Sequence, residues 1–277
     1  MTTITNQDIE HIRAWLAKDD TLPKDFTDFM IRKFLHSCYG SLEQTKKCIE
    51  RFCIGRYNMP ELYTNRDPMS AKVQTAFSIT SVASFNAGKD ELLLHQLDDP
   101  NLEKFDFYDI LKSFCLQADY WIHDHPVISD GQIILLDIQH YHLKIIPKIN
   151  IFYVRQFFLF LLEAMPIRLK KIHVYNCPPY YEKLYLLVKP VLPQEICDVI
   201  TFHASASDLH KVIDKTYLPK ELGGDAPSMR KLAEDRNSQI EANRKFFMNE
   251  DLWKAKQSKS KNIDNCMNGS FRTLSID

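Results

Sequence analysis

Two pairs of histidines are the first candidates for chemistry in this sequence. His123 and His125 in "IHDHP", and His140 and His142 in "QHYH", each place two imidazoles two residues apart. A zinc site needs three or four converging ligands, and a pair alone does not reach that number. We therefore interpret both pairs as polar groups of turns, and we predict neither a metal site nor a cofactor.

A second group contains the residue types of nucleophilic catalysis. Ser205 and Ser207 lie near His203 and Asp208, but without the strand-turn-helix context of a nucleophile elbow. Cys177 in "NCPP" precedes two prolines, and we interpret it as a structural cysteine. We predict no catalytic residue. A small hydrolase acting through Ser205, Ser207 or Cys177 is the enzymatic alternative.

Composition narrows the class of protein. A formal net charge of −1 over 277 residues gives no overall attraction to nucleic acid. The seven cysteines are scattered and include no CxxC, as expected in a reducing compartment. The N-terminus lacks the apolar core of a signal peptide, and no apolar run reaches the roughly 18–20 residues of a membrane span. The expectation is a cytoplasmic, monomeric protein.

Helical periodicity dominates the first part of the chain. Ile9, Ile12 and Leu16 have helical spacing, a second helix follows Pro23, and a third begins at Ser41. A proline-containing loop follows these helices. The pattern predicts an N-terminal helical domain over residues 1–75.

Strands then alternate with helices, which predicts an α/β sheet between about residues 88 and 225. Four segments have strand character: residues 91–97, 131–139, 170–176 and 198–204. We predict an α/β domain over residues 76–250. The chain turns polar after Met229, and residues 251–277 are expected to form a flexible tail.

One helix, Asn150–Ala164, is apolar around most of its circumference. Two explanations are open: the helix is buried on all sides, or one face packs on the sheet while another lines an apolar cavity. The next helical segment, residues 180–192, has a similar excess of apolar side chains, which favours the cavity.

Five motifs carry a resemblance to a known family. "SDGQIILLDI", "LEAMPIRLKKIHVYNCP", "YLLVKPVL", "ITFHASASDLHKVI" and "LPKELGGD" follow one another at plausible spacing. Together they resemble the CRAL-TRIO lipid-binding family, over about residues 8–250. The resemblance implies a helical domain followed by an α/β domain with a sheet floor, an apolar pocket and a mobile helical gate.

By this resemblance, one small hydrophobic ligand lies between the sheet, the Asn150–Ala164 helix and a gate near residues 180–192. Tyr153, Tyr175 and Tyr181 are candidates for polar selectivity. The expected ligand-binding residues are Ile133, Leu135, Tyr141, Leu143, Ile146, Phe152, Tyr153, Phe157, Phe158, Phe160, Leu161, Val174, Tyr175, Tyr181, Leu184, Tyr185, Leu187, Val188 and Leu192.

The family also implies a basic cleft for phosphoinositide headgroups, but this sequence departs from it. "KFLHSC" stands where an arginine-rich motif is usual, so Lys33 keeps a charge while His36 and Cys38 replace arginines. The residues expected to contact phosphoinositide or membrane are Lys33, Lys189, Lys211 and Lys215.

The resemblance therefore predicts a non-enzymatic carrier. It would take a retinoid, tocopherol, other isoprenoid or phospholipid between membranes, with transient peripheral contact. The alternative is a regulatory module that responds to its ligand or to phosphoinositide.

Overall fold

A computed structural model describes residues 4–125 and 127–256. The N-terminal part packs four helices around an aromatic core that includes Phe26, Phe34 and Phe52. Side chains of Thr27 and Ser41 cap the second and third helices by accepting backbone N–H groups. The four helices are α1 (Asn6–Lys18), α2 (Asp28–Ser37), α3 (Leu42–Asn58) and α4 (Pro60–Tyr63).

A five-stranded sheet forms the floor of the second part, with its strands in sequential order. The first strand is antiparallel to the second, and the remaining neighbours are parallel. The strands are β1 (Thr80–Ala87), β2 (Asp90–Leu97), β3 (Gln132–Asp137), β4 (Leu169–Tyr175) and β5 (Ile200–Phe202).

Helical crossovers connect the parallel strands, as their geometry requires. The remaining helices are α5 (Ala71–Ile79), α6 (Phe107–Asp124), α7 (Ile151–Glu163), α8 (Tyr181–Val188), α9 (Gln194–Val199), α10 (Met229–Ala242) and α11 (Arg244–Phe247). Within the described residues, α6 links β2 to β3, α7 links β3 to β4, and α8 and α9 link β4 to β5.

Strand β1 and helix α10 are among the elements of the second part that were not predicted. Strand β1 is poor in large apolar residues, yet it pairs with β2 along its whole length. Helix α10 lies in the segment after Met229, for which the sequence indicated polar character but no helix. It packs along β1. Only Met229, Ala233 and Ile240 are buried in α10, so its polar composition reflects a helix with one narrow buried stripe.

The expectation of a flexible tail from residue 251 is wrong for residues 251–256. Trp253 is 1% exposed and packs against Phe26 and Phe52 of the helical domain. The Ala255 N–H donates to the Cys53 carbonyl at 3.1 Å. We call residues 251–256 the C-terminal strap. Residues 257–277 lie outside the described residues.

Candidate functional site

The two faces of the sheet have different surroundings. Leu92, Leu94 and Leu135 point to the face covered by short 3₁₀ helices at residues 206–222. Leu136 and Val174, which are neighbours in register, point to the other face, beneath α7 and α8. We call this second side the α7 face.

Six apolar side chains on the α7 face are only half-buried, although they contact the core. Two lie on β3, two on α7, and two on α8 and the loop that follows it. We call them the apolar wall: Ile134, Leu136, Phe158, Leu162, Tyr181 and Leu192. Of these, only Phe158, Tyr181 and Leu192 were predicted as site residues.

Three strand residues predicted to bind the ligand do not lie on the α7 face. Ile133, Leu135 and Tyr175 pack in the cluster on the opposite face of the sheet. Successive strand residues point to opposite sides, so Val174 and Tyr175 could not both line one pocket. Because the residues in the middle of β3 are all apolar, the sequence did not show which of them face α7. The β3 residues on the α7 face are Ile134 and Leu136.

Helix α7 is apolar around most of its circumference because it packs between the helical domain and the sheet. The Phe160 ring stacks on Phe52 of α3, with the ring centroids 6.0 Å apart. The same ring lies against Gly55 of α3, where a Cβ atom would come within 2.4 Å of it. Tyr153 donates its hydroxyl to Glu61 at 3.2 Å, and Phe157 packs edge-on against a ring of α6. Tyr153, Phe157 and Phe160, which were predicted to bind the ligand, therefore face the core shared by the helical domain, α6 and α7, which we call the interdomain core.

Other predicted site residues are at the surface. Phe152 at the start of α7 is 78% exposed, while Leu143 and Leu187 are also exposed. Ile146 and Val188 are half-buried, and Tyr141 contacts the cores on both sides of α7. Leu161 and Leu184 pack at the edge of the interdomain core, and Tyr185 lies against Phe202 of β5.

Helix α8 is the least anchored helix over the apolar wall. None of its eight residues is buried, although its sequence, "YEKLYLLV", is largely apolar. Leu186 is 66% exposed. A helix with few buried contacts opens at low free-energy cost.

The predicted basic residues do not form one cleft. Lys33 is 2% exposed, donates to the Trp121 carbonyl at 2.6 Å, and lies over the Trp121 ring. Burial lowers the pKa of Lys33 to about 7. Lys211 and Lys215 pair with Asp208 and Asp225 on the 3₁₀-helix side of the sheet. Lys189, at the end of α8, is exposed.

Within the described residues, the candidates Ser205, His203 and Asp208 do not form a Ser-His-Asp chain of hydrogen bonds. Ser205 donates to Asp208 at 3.0 Å, whereas His203 bonds to His173 at 2.9 Å. Burial raises the pKa of the Cys177 thiol, which disfavours the reactive thiolate.

The histidine pairs have separate partners: His140 donates to the Leu97 carbonyl, and His142 contacts Tyr180. Across residues 4–125 and 127–256, no group of three or more His, Cys, Asp and Glu side chains is arranged to hold a metal ion. No helix in that part of the chain has both the length and the apolar character needed to cross a bilayer.

The class of protein is defined by its architecture: a helical domain is followed by an α/β domain whose sheet is connected by crossover helices. Residues 91–224 match the CRAL/TRIO domain family, and residues 2–73 match the Pinta-like UBA domain family. Residues 91–224 form a domain of the CRAL-TRIO family, as the five motifs predicted.

Its similarities to individual proteins are distant. It is 22% identical to the alpha-tocopherol transfer protein-like protein of Homo sapiens over 223 residues, which are 79% of this chain and 65% of that protein. It is 30% identical to clavesin-1 of Rattus norvegicus over 122 residues, which are 44% of this chain and 34% of clavesin-1. The matches thus span less than two thirds of either relative.

The crystal structure of Sfh5 aligns with a TM-score of 0.47 and 12% identity. The alignment covers 88% of this chain and 99% of that one.

Proposed function

We propose that this protein binds one hydrophobic lipid between the sheet and helices α7 and α8, and transfers it between membranes. The observation that carries the proposal is the apolar wall on the central strand of the sheet. Ile134 and Leu136 lie on β3, the middle strand, beneath a layer of helices, yet both keep accessible surface. Tight packing would bury such side chains completely, so this surface supports a ligand pocket.

The chemistry of the wall favours a lipid. Hiding ~400 Å² of apolar ligand surface gains on the order of 10 kcal/mol before the costs of binding. Such a ligand leaves slowly into water and needs a route into a bilayer. The name of the alpha-tocopherol transfer protein-like relatives also points to the transfer of a lipid.

Helix α8 is the proposed gate. It covers the wall without burying any of its own side chains, so little packing is lost when it moves. Leu186 and Leu187 on its outer side are exposed, and Lys183 and Lys189 flank them. Apolar side chains flanked by cations suit a transient contact with an anionic membrane surface. Lys189, rather than the buried Lys33, would meet a phosphoinositide or other acidic headgroup.

Organic extraction of the purified protein, followed by mass spectrometry, tests the proposal. We expect one lipid class at up to one molecule per chain. Protein purified without lipid is then offered isoprenoids, retinoids, sterols and phospholipids in vesicles. If the protein neither carries a native lipid nor takes up any of these, the proposed function is wrong.

Leu184→Asp is expected to speed loss of a loaded lipid by at least about tenfold while lowering the free energy of unfolding by less than about 1 kcal/mol. The reason is that Leu184 lies on α8, which has no buried side chain. Retention is measured by repeated gel filtration without membranes, and stability by urea unfolding.

Leu186→Asp is the matched control for this substitution, because Leu186 lies on the same helix but faces solvent. It should leave retention in buffer unchanged. If Leu184→Asp lowers the free energy of unfolding as severely as it lowers lipid retention, Leu184 is instead an ordinary core residue.

A further inference from the structure

One histidine stands among the apolar residues of the α7 face. His95 lies on β2 and is paired in register with Leu136 of the apolar wall on β3. Residues paired across neighbouring strands point to the same side of a sheet, so His95 shares the α7 face with Leu136. Along β2, its neighbours on that face are Leu93 and Leu97.

The imidazole of His95 lacks a hydrogen-bond partner at one nitrogen. Its Nδ1 atom is buried and forms no hydrogen bond with any described residue. The ring nevertheless keeps some accessible surface, as the neighbouring Leu136 does. Burial lowers the pKa of His95 to about 4, so the imidazole is neutral near pH 7. A neutral imidazole offers one hydrogen-bond donor and one acceptor.

A second polar group lies on the same side. Tyr141 follows β3, and its N–H donates to the Ile138 carbonyl at 3.0 Å. The adjacent His140 holds this loop to β2 by donating to the Leu97 carbonyl at 3.0 Å. The Tyr141 ring is half-buried between the core of the helical domain and that of the α7 face, and no hydrogen bond to its hydroxyl is formed within the described residues.

Buried polar groups are normally hydrogen-bonded, so the unsatisfied Nδ1 atom of His95 beside a proposed pocket needs an explanation. We infer that His95 and Tyr141 recognise the oxygen atom of a neutral lipid, such as an alcohol, aldehyde or ester, whose hydrocarbon part lies along the apolar wall. This inference rests on the proposed function and adds the class of ligand. A hydrocarbon would leave both groups unsatisfied, and an uncharged imidazole provides no counter-charge for a carboxylate.

The test compares lipids that differ only in the oxygen. Protein is incubated with phosphatidylcholine vesicles containing equal amounts of dihydrophytol, the saturated alcohol, and phytane, then repurified, extracted and analysed by mass spectrometry. Octadecanol and octadecane are the corresponding alcohol and hydrocarbon with a linear chain, and they are compared in the same way. We expect wild type to retain the alcohol in about five- to tenfold excess over its hydrocarbon, after normalisation to the vesicle content, which is the effect of one hydrogen bond.

His95→Leu and Tyr141→Phe should each move this ratio toward one, and His95→Gln should retain most of it because an amide also donates and accepts. The melting temperature of His95→Leu is expected to equal or exceed that of wild type, since the substitution removes an unsatisfied group. A histidine needed only for folding would lower it.

Native lipid recovered from the same variants is quantified in parallel, so the test does not depend on the four added compounds. If lipid loads but neither the ratio nor the amount of native lipid changes in His95→Leu and Tyr141→Phe, this inference is wrong and the proposed function stands. If wild type carries no lipid of any kind, both fail together.

Discussion

Replacement of Asp119 by alanine is expected to lower the free energy of unfolding by about 3–5 kcal/mol, the usual cost of removing one partner of a buried ion pair. Arg56 donates to the two Asp119 oxygens at 2.7 and 2.9 Å, and Arg66 approaches the same carboxylate at 2.7 Å. All three side chains are at most 2% exposed. The substitution therefore leaves two guanidinium groups buried without a counter-charge.

Urea unfolding at pH 7 measures this effect. Asp235→Ala is the matched control, because Asp235 pairs with Lys231 at 2.9 Å on the exposed side of α10. That change should cost less than about 1 kcal/mol. A similar, small loss in both variants would show that solvent reaches the Asp119 cluster.

The same variant has a defined pH dependence. Burial acts to raise the pKa of Asp119, but Arg56 and Arg66 outweigh it and hold the pKa below its ordinary value. A carboxyl with a depressed pKa in the folded state stabilises the protein above its unfolded pKa of about 4. That contribution is lost as the pH falls through the folded pKa. The difference in stability between wild type and Asp119→Ala should therefore shrink below about pH 4.

Trp253→Ala is expected to destabilise the protein by about 3–5 kcal/mol, because it removes a large buried side chain and leaves a cavity. The Trp253 ring lies 6.1 Å from that of Phe52 and 5.7 Å from that of Phe246. It also faces the Arg56 guanidinium at 5.4 Å. The strap thus supplies part of the core of a domain that begins at the other end of the chain.

Thermal and urea unfolding of Trp253→Ala should show this loss. Met248→Ala changes an exposed residue just before the strap and should cost less than about 0.5 kcal/mol. If Trp253→Ala behaves like Met248→Ala, the strap is a peripheral attachment rather than a part of the core.

Much of the fold could be predicted from the sequence because its signals are local. The helical spacing of Ile9, Ile12 and Leu16, and the alternation of strands with helices, both correspond to elements of the structure. Strand β1 and helix α10 escaped prediction because each has few large apolar residues, and their stability comes from packing on each other. The spacing of Met229, Ala233 and Ile240 was the available signal for α10.

The site was harder to predict because direction matters more than composition there. Ile133, Ile134, Leu135 and Leu136 are all apolar, so hydropathy could not say which two face α7. For α7, the sequence showed an excess of apolar residues but not the helical domain that covers one side. His95 could be recognised only once its unsatisfied Nδ1 atom was visible.

The C-terminal strap also has a consequence for how the chain is made. The hydrogen bond from Arg56 to the Leu252 carbonyl joins residues 196 positions apart. During synthesis, the N-terminal helices emerge first, but Phe26 and Phe52 lack their covering until Trp253 leaves the ribosome. Since translation adds about 5–20 residues per second, this core stays incomplete for roughly 10–40 seconds. The helical domain therefore emerges before the sheet but is completed after it, and its exposed aromatic side chains are a point where chaperones can act on the nascent protein.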